Sequence, residues 1–221
     1  MNRPNMRPIL KASIGRARDT CKLWLSHALP ARPMPGGREL LDEEYAAGAW
    51  DYLRDADELP RFSVVAGYCH HVKPGGSVLE VGCGEGVLQE RLCGDKYSRF
   101  LGVDISEQAI QRAAARQSEN VGFVAADAST FQPPERVDVI VFNECLEYFA
   151  EPERLLRRYE AFLAEGGIYI VSMFVGIDNV RHQRIWKKID AMYPAVAQAR
   201  VSTGPRMTWT IKVFAPPLPE S

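Results

Sequence analysis

The sequence predicts one doubly wound α/β domain preceded by a basic arm. Three observations carry this reading. From residue 77 onward, short uninterrupted apolar runs alternate with amphipathic stretches; one run opens directly into the turn Gly82-Cys83-Gly84-Glu85-Gly86; and the alternation ends in two strand-like runs with no helix between them. Unbroken apolar strands suit a sheet covered by helices on both faces, and repeated strand–helix units imply parallel strands with right-handed crossovers.

Bulk properties narrow the class. At 221 residues the chain accommodates one domain and an appendage. No apolar run approaches the ~18 residues of a membrane-spanning helix, and the N-terminus lacks the pattern of a secretory signal. The five cysteines (Cys21, Cys69, Cys83, Cys93 and Cys145) are odd in number and show no C-x-x-C pair. That argues against a disulfide framework or a zinc site and for a reducing, cytoplasmic compartment. Residues 1–38 hold eight Lys or Arg against Asp19 alone; this balance of +7, within a total of −1, leaves −8 for the rest. A catalytic domain of that charge is a poor fit to a broad nucleic-acid surface.

Along the chain, Leu10, Ile14, Ala17, Cys21, Trp24 and Ala28 recur at helical spacing opposite a basic face. This helix over residues 8–29 fits packing on its own domain or a partner chain, a membrane surface, or a cleaved organellar presequence. A Pro/Gly linker follows to Gly37. Residues 39–72 read as helical, with aromatic anchors Tyr45, Trp50 and Tyr52 and a second helix opened by Pro60. Strands are then expected over 77–82, 100–104, 121–126, 137–142 and 168–174, and helices near 87–93, 107–117, 152–164 and 179–192. Runs 196–203 and 208–214, joined by Gly204-Pro205-Arg206, read as a hairpin.

The glycine turn marks a nucleotide-type site, because glycine turns sharply and admits a ligand to the main chain. It reads G-x-G-x-G rather than G-x-G-x-x-G, and Glu85 at the helix start would oppose a pyrophosphate. Asp104, ending the second strand, has the position of a ribose acceptor. Asp127, ending the third, suits an adenine amino group or the cap of its own short turn.

These segments resemble the class I S-adenosylmethionine (SAM)-dependent methyltransferases from about Glu39 through Phe214. The resemblance rests on V-L-E-V-G-C-G-E-G at 78–86, L-G-V-D-I-S at 101–106, A-A-D-A at 125–128, D-V-I-V-F-N-E-C-L-E-Y-F at 138–149 and A-E-G-G-I-Y-I-V at 164–171. It implies a Rossmann-like sheet of order 3-2-1-4-5-7-6 with an antiparallel C-terminal hairpin, and SAM as cofactor. Glu80, Gly82, Cys83, Gly84 and Gly86 would then hold the methionine part, with Asn143 beside its amino group. Asp104 would bind the ribose, Ile105 would pack on the adenine, and Asp127 with Ala128 would read its edge. The first 38 residues lie outside the resemblance.

Methyl transfer from a sulfonium needs alignment above all, and a base only where the acceptor must lose a proton. Glu144, Glu147 and Tyr148 follow strand four, and His182 lies in the stretch before the hairpin, where a surface position is the commoner expectation; none is assigned as the catalytic base. Glu144 and Glu153 have the spacing of an arginine-clamping pair, but Glu153 reads as an ordinary acidic helix start. The acceptor expected is a small molecule, a glycan or a lipid-linked intermediate, under a cap built from residues 39–72 and 175–194 with Tyr45, Trp50, Tyr52, Phe174, Trp186 and Tyr193. Two rival readings are an NAD-dependent oxidoreductase and a non-catalytic SAM-fold subunit acting through the N-terminal helix.

Overall fold

A computed structural model describes residues 37–175, 180–204 and 207–216. The expected helix over residues 8–29 and its linker lie outside them. Two helices, α1 (Gly37–Ala46) and α2 (Leu59–Val72), flank a short 3₁₀ turn at Asp51–Arg54 and precede the alternating part. There follow β1 (Val78–Val81), α3 (Val87–Arg91), β2 (Phe100–Asp104), α4 (Glu107–Ala113), β3 (Val121–Ala125), β4 (Val137–Asn143), α5 (Pro152–Glu160), β5 (Leu163–Phe174), α6 (Val180–Met192), β6 (Ala195–Thr203) and β7 (Met207–Phe214).

The seven strands form one sheet in the order β3-β2-β1-β4-β5-β7-β6. The first five are parallel, and β7 runs antiparallel to both β5 and β6. Strand side chains alternate faces, so each unbroken apolar run feeds two cores. Val78, Val139, Val141 and Ile170 pack under Phe62, Val65 and Cys69 of α2. Leu79, Ile140, Phe142 and Tyr169 pack against Leu156 and Tyr159 of α5 and Ile185 and Ile189 of α6. No helix among the described residues is long and apolar enough to cross a membrane.

Three boundaries differ from expectation. Helix α5 ends at Glu160, and β5 begins at Leu163 rather than Ile168, because Leu163 already pairs with Val137 across a register shift that Gly166-Gly167 accommodates. Helix α3 is a single turn, closed by extended Leu92. The helix after β2 tightens at Ala114–Arg116 into a 3₁₀ turn.

Candidate cofactor and acceptor cleft

The carboxyl ends of β1, β2 and β3 on one side, and of β4, β5 and the start of β7 on the other, surround a cleft of about 850 Å³ roofed by residues 37–62. This is the point where strand order reverses, the usual ligand crevice of an open α/β sheet. Of the ten residues expected to hold the cofactor, nine line it: Glu80, Gly82, Cys83, Gly84, Asp104, Ile105, Asp127, Ala128 and Asn143. Gly86 does not. It caps α3 from behind, where an added Cβ would lie 2.8 Å from Phe123.

The bend after β1 leaves no room for side chains. Gly82 and Gly84 both have positive φ (71° and 51°), and a Cβ on either would come within 2.6 Å, of Cys145 Cβ and of the Tyr45 hydroxyl respectively. Asp104 anchors this bend: Oδ2 accepts from Gly84 N at 2.8 Å and Oδ1 from Ser106 N at 2.9 Å. A carboxylate offers about four acceptor positions, and the backbone N–H groups of Gly84, Ser106 and Ile105 do not use them all. Asp127 caps its turn, Oδ1 accepting from Ser129 N and Oγ at 2.8 and 2.7 Å, and lines the cleft as well.

Glu85 corrects an expectation. Its carboxylate does not face the cleft; it is buried between Arg54 (2.5 Å) and Arg112 (2.6 Å). Burial alone would raise its pKa, but the hydrogen bonds from Arg112 and Arg54 outweigh that and lower it. The charge expected to repel a pyrophosphate is therefore neutralised and turned to tie the roof to the glycine bend.

The inner end of the roof holds a functional residue that the sequence alone does not single out. Arg61, on α2, is 2% exposed; its Nε and Nη2 donate to Glu58 Oε2 at 3.1 and 2.7 Å, and Nη1 donates to Asn143 Oδ1 at 2.5 Å. Its guanidinium also lies over the rings of Phe62 and Trp209. One clue was present in sequence: Arg61 stands beside apolar Phe62 and one turn before Val65, on the face that α2 buries. Nearby Glu80 is 2% exposed, and its Oε2 has no hydrogen-bond partner among the described residues. Burial pushes its pKa up to about 8, against the pull of Asn143 and Arg61.

Of the residues singled out after strand four and at His182, Glu144 and Tyr148 line the cleft and Glu147 and His182 do not. Glu144 is the one described non-glycine residue at positive φ (59°), a strained conformation of the kind that collects at functional sites. Its Oε2 accepts from Phe174 N at 3.0 Å, and Oε1 lies 2.9 Å from Ser172 Oγ, itself 2.8 Å from Asn143 Oδ1. The single Ser172 hydroxyl proton serves one of these neighbours at a time; both contacts are hydrogen bonds when the Glu144 carboxyl carries a proton. Burial, then the neighbouring Glu147, raises the Glu144 pKa. Glu147 sits behind the wall, 3% exposed, with Oε2 lacking a hydrogen-bond partner among the described residues.

His182 is buried rather than on the surface, its Nδ1 donating to the Phe174 carbonyl at 2.6 Å, and burial lowers its pKa. That bond places a proton on Nδ1, since the carbonyl can only accept. Glu153 pairs with Lys188 on the outside and is not part of the lining, so no Glu144–Glu153 clamp forms. The cap also differs. Tyr45, Trp50, Tyr52 and Phe174 line the cleft, the first three as a stack with centroids 5.6 and 6.2 Å apart. Helix α6 contributes no lining residue; Trp186 and Tyr193 pack on Phe214, and the opposite wall is Met207 and Trp209.

Comparison with known proteins agrees with this geometry. A model of the methyltransferase domain family matches residues 72–210. The ubiquinone biosynthesis O-methyltransferase of Coxiella burnetii is 35% identical over 98 residues, 42% of this chain and 41% of that protein. The first curated relatives are thus matched over about two fifths of their length, 38% and 41%. The N-methyltransferase NodS of Bradyrhizobium japonicum in complex with S-adenosylhomocysteine (SAH) shares the fold at a TM-score of 0.70 and 20% identity, over 82% of this chain and 98% of that one. The Burkholderia thailandensis 1,6-didemethyltoxoflavin N1-methyltransferase does so at 0.66 and 20%, over 81% and 86%. Family match, sheet order and glycine cleft converge on one conclusion: the chain belongs to the class I SAM-dependent methyltransferases.

Proposed function

We propose that the chain transfers a methyl group from SAM to a small-molecule acceptor, with glycan and lipid-linked molecules as the wider class. The observation that carries this is the pairing of Glu80, buried with an unpartnered oxygen, and Arg61 across Asn143 at the foot of the glycine bend. An ammonium and a carboxylate on one carbon suit such a pair, and a methionine moiety has both. Asp104 then takes the ribose hydroxyls, Ile105 packs on the adenine, and Asp127 with Ala128 reads its edge. Bound SAM supplies an activated methyl; the chain's residues align the acceptor and exclude water, an effect worth up to ~7–11 kcal/mol.

The named relatives support a small acceptor without fixing it. One serves ubiquinone biosynthesis and another methylates 1,6-didemethyltoxoflavin. Calorimetric titration of the full chain with SAH tests the reading. Saturable 1:1 uptake is expected, weakened about 10- to 100-fold in Asp104→Ala by loss of charged hydrogen bonds worth ~1.5–3 kcal/mol. No uptake by folded wild-type protein, or an unchanged affinity in the variant, overturns it. NAD in place of SAH is expected to give no heat.

A further inference from the structure

The two halves of the cleft differ in what they can receive. The β1–β2–β3 side carries the residues assigned above to the cofactor. The β4–β5–β7 side is walled by Glu144, Tyr148, Phe149, Phe174, Met207 and Trp209 and roofed by Tyr52, Asp55, Asp57 and Glu58. Among the described lining residues the one cation is Arg61, and it is held by Glu58 through two donors and by Asn143 through a third. Behind the wall, Arg181 directs Nη2 to the Glu147 and Phe149 carbonyls. With Arg61 assigned above to the methionine carboxylate, no other cation among the described lining residues faces an anionic acceptor. Glu144, by contrast, is fixed from two directions by Ser172 and Phe174 N at the strand end nearest the cofactor half, and the unpartnered oxygen of buried Glu147 lies one turn behind it.

We propose, on the methyltransferase reading above, that the acceptor is an amine, held as its ammonium by Glu144 and the surrounding aromatic rings and methylated on nitrogen. Aromatic faces attract cations, more strongly when both are desolvated. A half-buried Glu144 backed by buried Glu147, with Arg61 the one cation among the described lining residues and already bound to Glu58 and Asn143, favours a ligand that brings positive charge. A phenol would offer one hydroxyl and no charge, and a carboxylate or phosphate would face the acids Glu144, Asp55, Asp57 and Glu58 across an aromatic wall.

The ammonium gives one proton to the Glu144 carboxylate, and the freed nitrogen lone pair forms the new N–C bond. The electron pair of the broken S–C bond stays on sulfur, which becomes a neutral thioether. The product is the N-methylammonium, and the proton on Glu144 leaves to solvent. The Ser172 hydroxyl, within hydrogen-bonding distance of both Glu144 and Asn143, keeps the carboxyl oriented in either protonation state.

The test uses full-chain protein saturated with SAH and three probes of one shape: benzylamine, benzyl alcohol and benzoate, titrated by NMR. Binding of benzylamine at least tenfold tighter than either of the others is expected, with the preference reduced to under threefold in Glu144→Gln. Should that variant fail to fold, the wild-type ranking decides alone. Equal binding of the three, binding of none, or a preference for benzoate in SAH-loaded protein overturns the amine assignment and leaves the cofactor reading standing. Failure to load SAH at all overturns the cofactor reading instead.

Discussion

Glu58, the N-cap of α2, and Arg61 in its first turn bury each other, two guanidinium nitrogens donating to a single carboxylate oxygen. The pair lies at the inner end of the roof of the cleft and joins the helical segment to Asn143 at the end of β4. It therefore couples stability to site geometry.

Removing one member leaves the other buried and unpaired, which costs ~3–5 kcal/mol, whereas replacing both with apolar groups is often neutral. Glu58→Gln and Arg61→Met are each expected to lower unfolding free energy by about that amount in urea denaturation. The double variant Glu58→Leu/Arg61→Met should recover most of it and still lose SAH affinity. Additive losses in the double variant contradict this account.

Glu80 should make cofactor binding release protons. Its folded pKa of about 8 exceeds the ordinary 4.5, so its stabilising contribution is complete below the ordinary value and is lost as pH rises through about 8. Unfolding free energy should fall across that window with a slope of up to ~1.36 kcal/mol per pH unit. An ammonium docking on Glu80 requires the ionised form, so SAH binding at pH 6.5 is expected to release close to one proton, and far less at pH 9. Calorimetry in buffers of different ionisation enthalpy measures this, and Glu80→Gln should abolish both the release and the slope.

The bend between β1 and α3 should reject any side chain. Gly82→Ala places a Cβ 2.6 Å from Cys145 Cβ at a φ of 71°, combining overpacking with a conformation unfavourable to L-residues. A loss of ~2–4 kcal/mol is expected, with SAH binding undetectable at millimolar concentration. Cys145→Gly added to it should recover part of the stability, which thermal denaturation will report.

The ion pairs Arg54–Glu85–Arg112 tie the 3₁₀ turn of the roof to the glycine bend and to α4. Both arginine side chains are over a third exposed (36% and 39%), which weakens the pairs through solvent screening. Glu85→Ala is expected to cost ~1–2 kcal/mol but to lower SAH affinity at least fivefold, because the roof loses its attachment. An affinity change no larger than that of the exposed pair variant Arg154→Ala would show that the tie does not hold the site.

The sequence by itself determined the sheet and the glycine crevice. Apolar runs such as Val137–Phe142 can be buried on both faces only between two helical layers, and Gly82, Gly84, Asp104 and Asp127 close their strands at the one edge where a crevice opens. Those signals are local: strand period, turn chemistry and a carboxylate at a strand end. What tertiary structure alone decided is which charged groups meet. Arg61 reads in sequence as one more helix residue, yet 82 positions separate it from its partner Asn143. Glu85 turns away from the cleft because Arg54 and Arg112 converge on it from elements 31 and 27 residues distant. Helix α6 is excluded from the cleft because Ile185 and Ile189 anchor it in the core behind β5. Burial and pairing of charge depend on the approach of distant segments, and no spacing along the chain encodes that approach.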